Sequence, residues 1–238
     1  MKNLLKKIIF KKKEKIHEYK KNNPINKLLT SIKNRNNFID FKKEVIMRNK
    51  KKKISIIAEI KKASPSAGVL VKSFNPLNIA KLYVENGASF LSVLTEEDFF
   101  LGKLEYIENI KKNYKVPILC KDFFIDTYQV PLAKSFGADC ILIILSAIDK
   151  TIAKDIYKAA RELNISTLVE VHSPKEAEIA LSFENSLIGI NNRNLETLEV
   201  SLNTTIKLSK ILNSHKNPLI CESGIHSTDN IKFIIENT

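Results

Sequence analysis

A short stretch near residue 60 joins an acid, a base and a turn. Residues 56–68 read I-I-A-E-I-K-K-A-S-P-S-A-G, an apolar run followed by a turn-forming Ser-Pro-Ser. Because side chains alternate across a strand, Glu59 and Lys61 point to the same side. Charges on a buried strand are costly unless they are paired or used. The stretch alone therefore predicts either a site for proton transfer or an ion pair at a frayed strand end.

Similar residues stand at the ends of later apolar runs. The segment P-I-L-C-K-D-F places Lys121 and Phe123 on one face, and L-V-E-V places Glu170 between valines. Lysines and carboxylates that converge in one pocket shift one another's pKa values in a way that suits proton transfer near neutral pH. Further strand ends supply Thr95, Glu96, Asn191, Arg193, Glu222, Ser223 and Gly224, and the Arg193 guanidinium offers a bidentate fork for a carboxylate or phosphate.

Other titratable residues fit this pattern poorly. Asp122, Glu97 and Lys62 face away from the predicted site or lie further out, so we expect them to be solvated in loops. The histidines lie outside the pattern and are not predicted to be catalytic; they are His17, His172, His215 and His226.

The elements that must position these residues are repeated strand–helix units. Seven apolar runs after residue 53 are each followed by an amphipathic helical stretch, as in parallel strands covered by helices. Such units predict a (β/α)₈ barrel, whose active site lies at the carboxyl ends of its strands. A dinucleotide fold is disfavoured because the chain has no G-x-G-x-x-G motif. The predicted strands are 54–60, 90–95, 117–123, 140–145, 167–171, 187–191 and 218–223.

The charge of the chain divides it into two parts. Residues 1–53 hold 19 Lys or Arg and four Asp or Glu, whereas residues 54–238 hold 20 basic and 22 acidic residues. The net charge of +13 therefore belongs to a basic N-terminal extension, helical and broken at Pro24, on a nearly neutral barrel domain. We expect solvated basic helices there. A contact with nucleic acid or a membrane is the alternative, although no recognition motif is present.

The compartment is predicted from the cysteines and the N-terminus. Cys120, Cys140 and Cys221 lie in apolar runs without C-x-x-C spacing, which indicates buried thiols in a reducing cytosol. The longest apolar run of the N-terminus, residues 8–10, is too short for a signal peptide or a membrane span. We therefore expect a cytoplasmic protein that does not associate with membranes.

Six segments, in order and at matching spacing, resemble the indole-3-glycerol phosphate synthase family of tryptophan biosynthesis over residues 54–230. They are I-I-A-E-I-K-K-A-S-P-S-A-G, S-V-L-T-E-E-D-F-F-L-G, P-I-L-C-K-D-F-F-I-D-T-Y-Q, L-V-E-V-H, I-G-I-N-N-R-N-L-E-T-L-E-V and C-E-S-G-I. The resemblance implies a carboxy-lyase that closes the ring of 1-(2-carboxyphenylamino)-1-deoxyribulose 5-phosphate to give indole-3-glycerol phosphate, with loss of carbon dioxide and water.

The resemblance also implies residue roles. Lys121 would be the general acid that activates the ketone, and Glu170 the proton-transfer partner in the later dehydration. Lys61 matches a lysine that contacts the phosphate or acts as an acid. The other positions would hold the substrate. Glu59, which is grouped with the catalytic residues, would act with Asn191 and Glu222 at substrate hydroxyls and developing charge. Ser64 and Arg193 would bind the carboxylate, Phe123 would contact the aromatic ring, and Ser223 and Gly224 would bind the phosphate.

Cofactors and partners follow from the same resemblance. No metal or organic cofactor is implied, because regaining an aromatic ring drives the decarboxylation. The partner would be a phosphorylated small molecule rather than nucleic acid or a membrane, and a fused or adjacent tryptophan-pathway enzyme stays open. The family's N-terminal extension covers the barrel mouth, so residues 1–53 are a candidate lid.

The sequence departs from the family pattern at its C-terminus. An eighth strand ending in Gly-Ser, which would complete the phosphate site, is missing from the sequence up to Thr238. Three explanations compete: a truncated copy, which we favour, a barrel completed by a neighbouring chain, or imperfect closure between the first and seventh strands. The alternative function is a truncated, non-catalytic barrel remnant or interaction module.

Overall fold

A seven-stranded parallel sheet forms the centre of the molecule. The computed structural model describes residues 2–195 and 197–238. Within them, the sheet strands follow one another in chain order, and a separate two-stranded antiparallel hairpin interrupts the chain after the first strand. The sheet consists of β1 (Ile57–Ile60), β4 (Phe90–Leu94), β5 (Ile118–Lys121), β6 (Cys140–Ile144), β7 (Ser166–Val171), β8 (Leu187–Asn191) and β9 (Leu219–Glu222), and the hairpin of β2 (Ala63–Ser64) and β3 (Gly68–Val69).

Helices connect successive sheet strands, and three further helices precede the sheet. Several begin at a side chain that caps free backbone N–H groups, among them Asp149, Ser173 and Ser227, residue types whose short side-chain oxygens favour this position. The helices are α1 (Lys2–Asn22), α2 (Ile25–Lys33), α3 (Phe41–Lys50), α4 (Pro76–Glu85), α5 (Glu105–Asn113), α6 (Gln129–Ser135), α7 (Lys150–Glu162), α8 (Pro174–Ala180), α9 (Asn203–Ile211) and α10 (Thr228–Asn237).

The predicted strand–helix units are confirmed, and five of the seven strands are shorter than predicted. The first strand begins at Ile57 rather than at residue 54. Pro131 lies in a helix without breaking it. Because α6 begins at Gln129, Pro131 lies in the first turn, where a missing N–H leaves no hydrogen bond unmade.

Two apolar cores lie on the two faces of the sheet. Inside the curl, Leu119, Leu142 and Leu168 pack with one another, whereas residues at the alternate positions, such as Ile118 and Ile141, pack outward against the helices. Both faces of the five central strands are therefore buried, whereas the edge strands β1 and β9 are only partly buried. This is why the strands read as continuous apolar runs rather than as an alternating pattern.

The sheet is curled but open in the part of the chain that is described. Lys121 on the third strand of the sheet order lies 3.1 Å from Glu222 on the seventh, a contact that a flat sheet could not make. The edge strands β1 and β9 do not pair with each other. The (β/α)₈ barrel expected with its eighth unit missing is thus an open seven-stranded half-barrel in the described residues.

Helices α1 and α3 of the N-terminal extension lie at opposite ends of the sheet. Helix α1 lies over the carboxyl ends of β4 and β5, where Ile16 joins the outer core. Helix α3 packs into the amino ends: Phe41 is fully buried, and its ring centroid is 4.6 Å from that of Phe90. Within the described residues, none of the helices has both the length and the apolar character needed to cross a bilayer.

Candidate active site

Lys121 lies at the centre of a cluster of charged side chains at the carboxyl end of the sheet. Its Nζ is 3.2 Å from Glu59 Oε2 and 3.1 Å from Glu222 Oε2. The second oxygen of Glu59 accepts a hydrogen bond from Lys61 Nζ at 2.5 Å. Two lysines and two carboxylates thus form one continuous chain of ion pairs.

The strand register brings these residues together. Inward positions alternate along each strand, and Glu59, Lys121, Glu170 and Glu222 each occupy an inward position near its carboxyl end. The inward positions nearer the amino ends carry apolar residues, which pack as the inner core. The charged cluster therefore lies on an apolar floor at the carboxyl end of the sheet.

Opposite charges set the protonation of Lys121 and Glu59. Burial by itself lowers the pKa of Lys121, but the carboxylates of Glu59 and Glu222 outweigh it and hold that pKa well above its ordinary value. Burial raises the pKa of Glu59, and the two lysines outweigh it in turn, so its pKa is lowered. Lys121 is consequently an ammonium group held by two acids.

The pKa values of the two other carboxyls, Glu222 and Glu170, are shifted in opposite directions. Burial and the neighbouring Glu170 raise the pKa of Glu222, although Lys121 acts against them. For Glu170, burial is outweighed by His172 and Lys121, and the pKa is lowered. A pair of carboxyls with separated pKa values can hold one proton between them, which is the arrangement needed for acid–base chemistry.

A glycine makes room for one of these carboxyls. A Cβ atom on Gly189 would lie 2.1 Å from Glu222 Oε1. Gly189 is at the inward position of β8 beside Glu170. The glycine of the I-G-I-N-N segment therefore lets Glu222 reach Lys121.

His172 is the residue of this site that the sequence analysis missed. Its Nε2 lies 3.1 Å from Glu170 Oε1, and its Nδ1 lies 3.2 Å from Glu176 Oε2. The expectation that the histidines lie outside the site is wrong for His172. Strand alternation contained the signal, since His172 follows Glu170 by two positions and so lies on the same side of the chain.

The loop after β9 adjoins the cluster through Asn191. The Asn191 Oδ1 accepts hydrogen bonds from the Ser223 hydroxyl at 2.9 Å and from the Arg193 backbone N–H at 3.0 Å. Ser223 and Gly224 both have left-handed backbones, with φ of 65° and 82°. Successive residues in such conformations can turn their N–H groups toward one point, which suits an anion.

Three predicted binding residues lie outside the ion-pair chain. The Ser64 hydroxyl accepts from the Ala67 N–H in the hairpin turn. The Arg193 guanidinium donates to the Leu198 carbonyl at 3.0 Å, within its own loop. The Phe123 ring packs at the top of the inner core, with its centroid 6.3 Å from that of Phe100.

The expectation that Asp122 is solvated is wrong. Asp122 is 9% exposed and its Oδ1 lies 2.7 Å from Lys12 Nζ on α1. Thr95 donates to its other oxygen at 2.8 Å. Glu97 is likewise held, by Lys15 and by the Tyr19 hydroxyl. Sequence reasoning missed the contacts with α1 because these partners lie about 80 to 110 positions apart.

The parallel sheet and the acid–base cluster at the carboxyl ends of its strands define a β/α enzyme that acts on a small molecule. The family model described as indole-3-glycerol phosphate synthase matches residues 5–238. The chain belongs to the indole-3-glycerol phosphate synthase family, whose members are carboxy-lyases of tryptophan biosynthesis.

Individual relatives agree with the family match. The indole-3-glycerol phosphate synthase of Trichodesmium erythraeum is 40% identical over 239 residues, which are 98% of this chain and 80% of the relative. That of Alkaliphilus metalliredigens is 40% identical over 231 residues, 97% of this chain and 87% of the relative. These matches give no support to the alternative of a non-catalytic remnant.

Solved structures resemble the fold at low identity. The N-acetylmannosamine-6-phosphate 2-epimerase of Clostridium perfringens has a TM-score of 0.56 at 14% identity, covering 76% of this chain and 82% of that one. A chain of the Pyrococcus furiosus tryptophan synthase complex has a TM-score of 0.56 at 12% identity, covering 77% and 84%. At such identities the likeness concerns the fold alone.

Proposed function

We propose that this chain closes the ring of 1-(2-carboxyphenylamino)-1-deoxyribulose 5-phosphate, with loss of carbon dioxide and water, to give indole-3-glycerol phosphate. The observation that carries the proposal is the position of Lys121 between Glu59 and Glu222 at the carboxyl end of the sheet. An ammonium group held there can protonate or polarise a ketone oxygen as the aromatic ring carbon attacks the carbonyl carbon.

The neighbouring groups have distinct tasks. Glu170, kept ionised by its surroundings, accepts a proton in the later dehydration. Glu222, whose pKa is raised, is suited to hold a proton near a substrate hydroxyl. Glu59 orients Lys121 and Lys61 from below, and Lys61 is 30% exposed in its side chain and reaches toward the mouth. Lys61 can therefore serve the phosphate or a second acid step.

The remaining predicted residues surround this cluster. Asn191 and the left-handed backbone at Ser223 and Gly224 form one side of an anion site that suits the phosphate. Phe123 provides an aromatic wall at the mouth. Two further residues, Ser64 and Arg193, would turn toward the substrate carboxylate from their present loop contacts.

The proposed site lies in a barrel domain beneath an N-terminal extension. We assign residues 54–238 to the barrel domain and residues 1–53 to an N-terminal extension in which α1 is the lid. An eighth strand would pair with both β1 and β9, which pair on one side only in the described structure. The contacts of α1 with the rim favour it as the lid, whereas α3 packs at the opposite end.

Replacing Lys121 by Met tests the assignment. We expect turnover, followed by the fluorescence of indole-3-glycerol phosphate, to fall by at least about 100-fold because the proton donor is lost. Lys115→Met is the matched control, since Lys115 is exposed. Near-normal turnover in Lys121→Met, with an unchanged circular dichroism spectrum, would contradict the role of Lys121. No turnover by the unaltered chain would contradict the proposed function.

A further inference from the structure

His172 is built into a clamp that joins the site to the helix behind it. It follows β7 directly, and its ring lies between two carboxylates: Nε2 is 3.1 Å from Glu170 Oε1 and Nδ1 is 3.2 Å from Glu176 Oε2. An imidazole with a carboxylate near each nitrogen is most stable as the doubly protonated cation. Nδ1 hydrogen bonds to Glu176, whereas Nε2 lies at ion-pair distance from Glu170 without a hydrogen bond.

The outer carboxylate of the clamp is held by a helix cap. Glu176 Oε2 accepts the backbone N–H of His172 at 2.8 Å, and Glu176 Oε1 accepts the Ser173 hydroxyl at 3.0 Å. In return, the Ser173 hydroxyl accepts the backbone N–H of Glu176. This arrangement is related to a capping box at the start of α8, except that Glu176 accepts the N–H of the residue before the N-cap. It fixes both oxygens of the Glu176 carboxylate, and Oε2 also contacts the His172 ring. The His172 ring is thereby oriented from behind.

The two oxygens of the inner carboxylate, Glu170, have different surroundings. Glu170 Oε1 faces His172, whereas Glu170 Oε2 is buried and has no hydrogen-bond partner among the described residues. On the pocket side, the Glu170 carboxyl interacts electrostatically with Lys121 and Glu222. The geometry thus leaves one oxygen of Glu170 available to a substrate while the other is anchored.

We propose that His172 is a positioning residue, which as an imidazolium held by Glu176 orients Glu170 and keeps it ionised for proton transfer. The charged groups that face the ring in the described structure are Glu170 and Glu176. Burial alone lowers the pKa of His172, but these two carboxylates raise it to about 9. The catalytic part of the proposal rests on the function proposed above.

The titration of the ring tests the clamp without any turnover. In the ¹H–¹³C NMR spectrum of the whole chain, the His172 ring should titrate near pH 9. The same signal should move toward the ordinary value of about 6.5 in both Glu170→Gln and Glu176→Gln. His215 is an internal control, and its signal should behave the same in all three proteins. Titration of His172 near 6.5 in the unaltered chain would overturn the clamp, as would no shift in Glu170→Gln.

The pH dependence of turnover tests the role in catalysis. In His172→Gln, which keeps a donor but cannot carry the charge, kcat should fall by about 10-fold or more while KM changes little. The acid limb of the kcat profile should move to higher pH, because Glu170 loses the cation that lowers its pKa. A merely structural role would lower kcat without moving that limb, and this result would overturn the proposal.

A second variant, His172→Ala, provides a test if His172→Gln does not fold. His172→Ala leaves space that free imidazole can enter, since the His172 side chain is 10% exposed. Added imidazolium should restore part of kcat, and failure to restore it in a folded variant would overturn the positioning role. If the unaltered chain makes no indole-3-glycerol phosphate although His172 titrates near 9, the proposed function fails and the clamp stands.

Discussion

Single residues decide the chemistry through their neighbours rather than through their own types. Lys121 and Lys61 are both lysines near one carboxylate, yet Lys121 touches two acids inside the sheet and Lys61 extends toward solvent from Glu59. The same division separates Glu170, which is kept ionised, from Glu222, whose pKa is raised. Acid and base roles in this site follow from burial and partner charges.

Substitution of Gly189 tests whether the Glu222 carboxylate needs the space beside this glycine. In Gly189→Ala the new methyl group would displace the Glu222 carboxylate, so we expect kcat to fall by about 10-fold or more and stability to fall by about 1–3 kcal/mol. Turnover and urea unfolding measure the two effects.

A double-mutant cycle identifies the cause. In a Glu222→Ala background the space is already empty, and Gly189→Ala should cost little further activity or stability. Additive effects of the two changes would show that the contact with Glu222 is not the reason for the loss.

Among the elements, α1 makes the contacts that tie the basic extension to the site. Lys12, at 5% exposure, pairs with Asp122, the residue that follows Lys121. Lys15 and Lys20 pair with Glu97 and Asp126 on the same rim. The positive charge of α1 is thus partly matched to acids at the carboxyl ends of β4 and β5.

Lys12→Met should therefore destabilise the protein although it removes a charge from a basic helix. Asp122 would stay buried without its cation, which costs about 3–5 kcal/mol in the free energy of unfolding. Lys13→Met is the matched control, because Lys13 is exposed on the same helix and should change stability by less than about 0.5 kcal/mol. Urea unfolding that gives equal values for both variants would show that α1 does not depend on the pair.

For the whole molecule, the uneven charge predicts how an anionic substrate arrives. The net charge is +13, and Lys6, Lys7 and Lys11 line a groove with Phe10 and Phe99 beside the rim. A positive rim raises the rate of encounter with a phosphorylated molecule, and salt screens this attraction over about 10 Å at 0.1 M. The basic extension then has a kinetic effect in addition to its packing.

We expect kcat/KM to fall severalfold between about 0.05 and 0.5 M salt, with kcat nearly unchanged. The double variant Lys6→Glu/Lys7→Glu should lower kcat/KM at low salt more than Lys50→Glu/Lys51→Glu, which changes the net charge equally at the opposite end of the sheet. Equal losses in the two variants would mean that net charge, rather than its position near the mouth, governs encounter.

The sequence by itself determined the strand–helix units, several helix caps and the inward positions of Glu59, Lys121, Glu170 and Glu222. These features depend on local periodicity and on side-chain alternation, which a reader can take from the chain directly. The resemblance of six segments then pointed to the family that the comparisons show.

Only the tertiary structure decided which distant residues meet. The pairing of Lys12 with Asp122, the space that Gly189 leaves for Glu222 and the open edges at β1 and β9 depend on how the sheet curls. The His172 clamp needed both sources, since alternation places the ring beside Glu170 but only packing shows that Glu176 holds it. Partners far apart along the chain leave no periodic signal, because packing and charge select them in three dimensions.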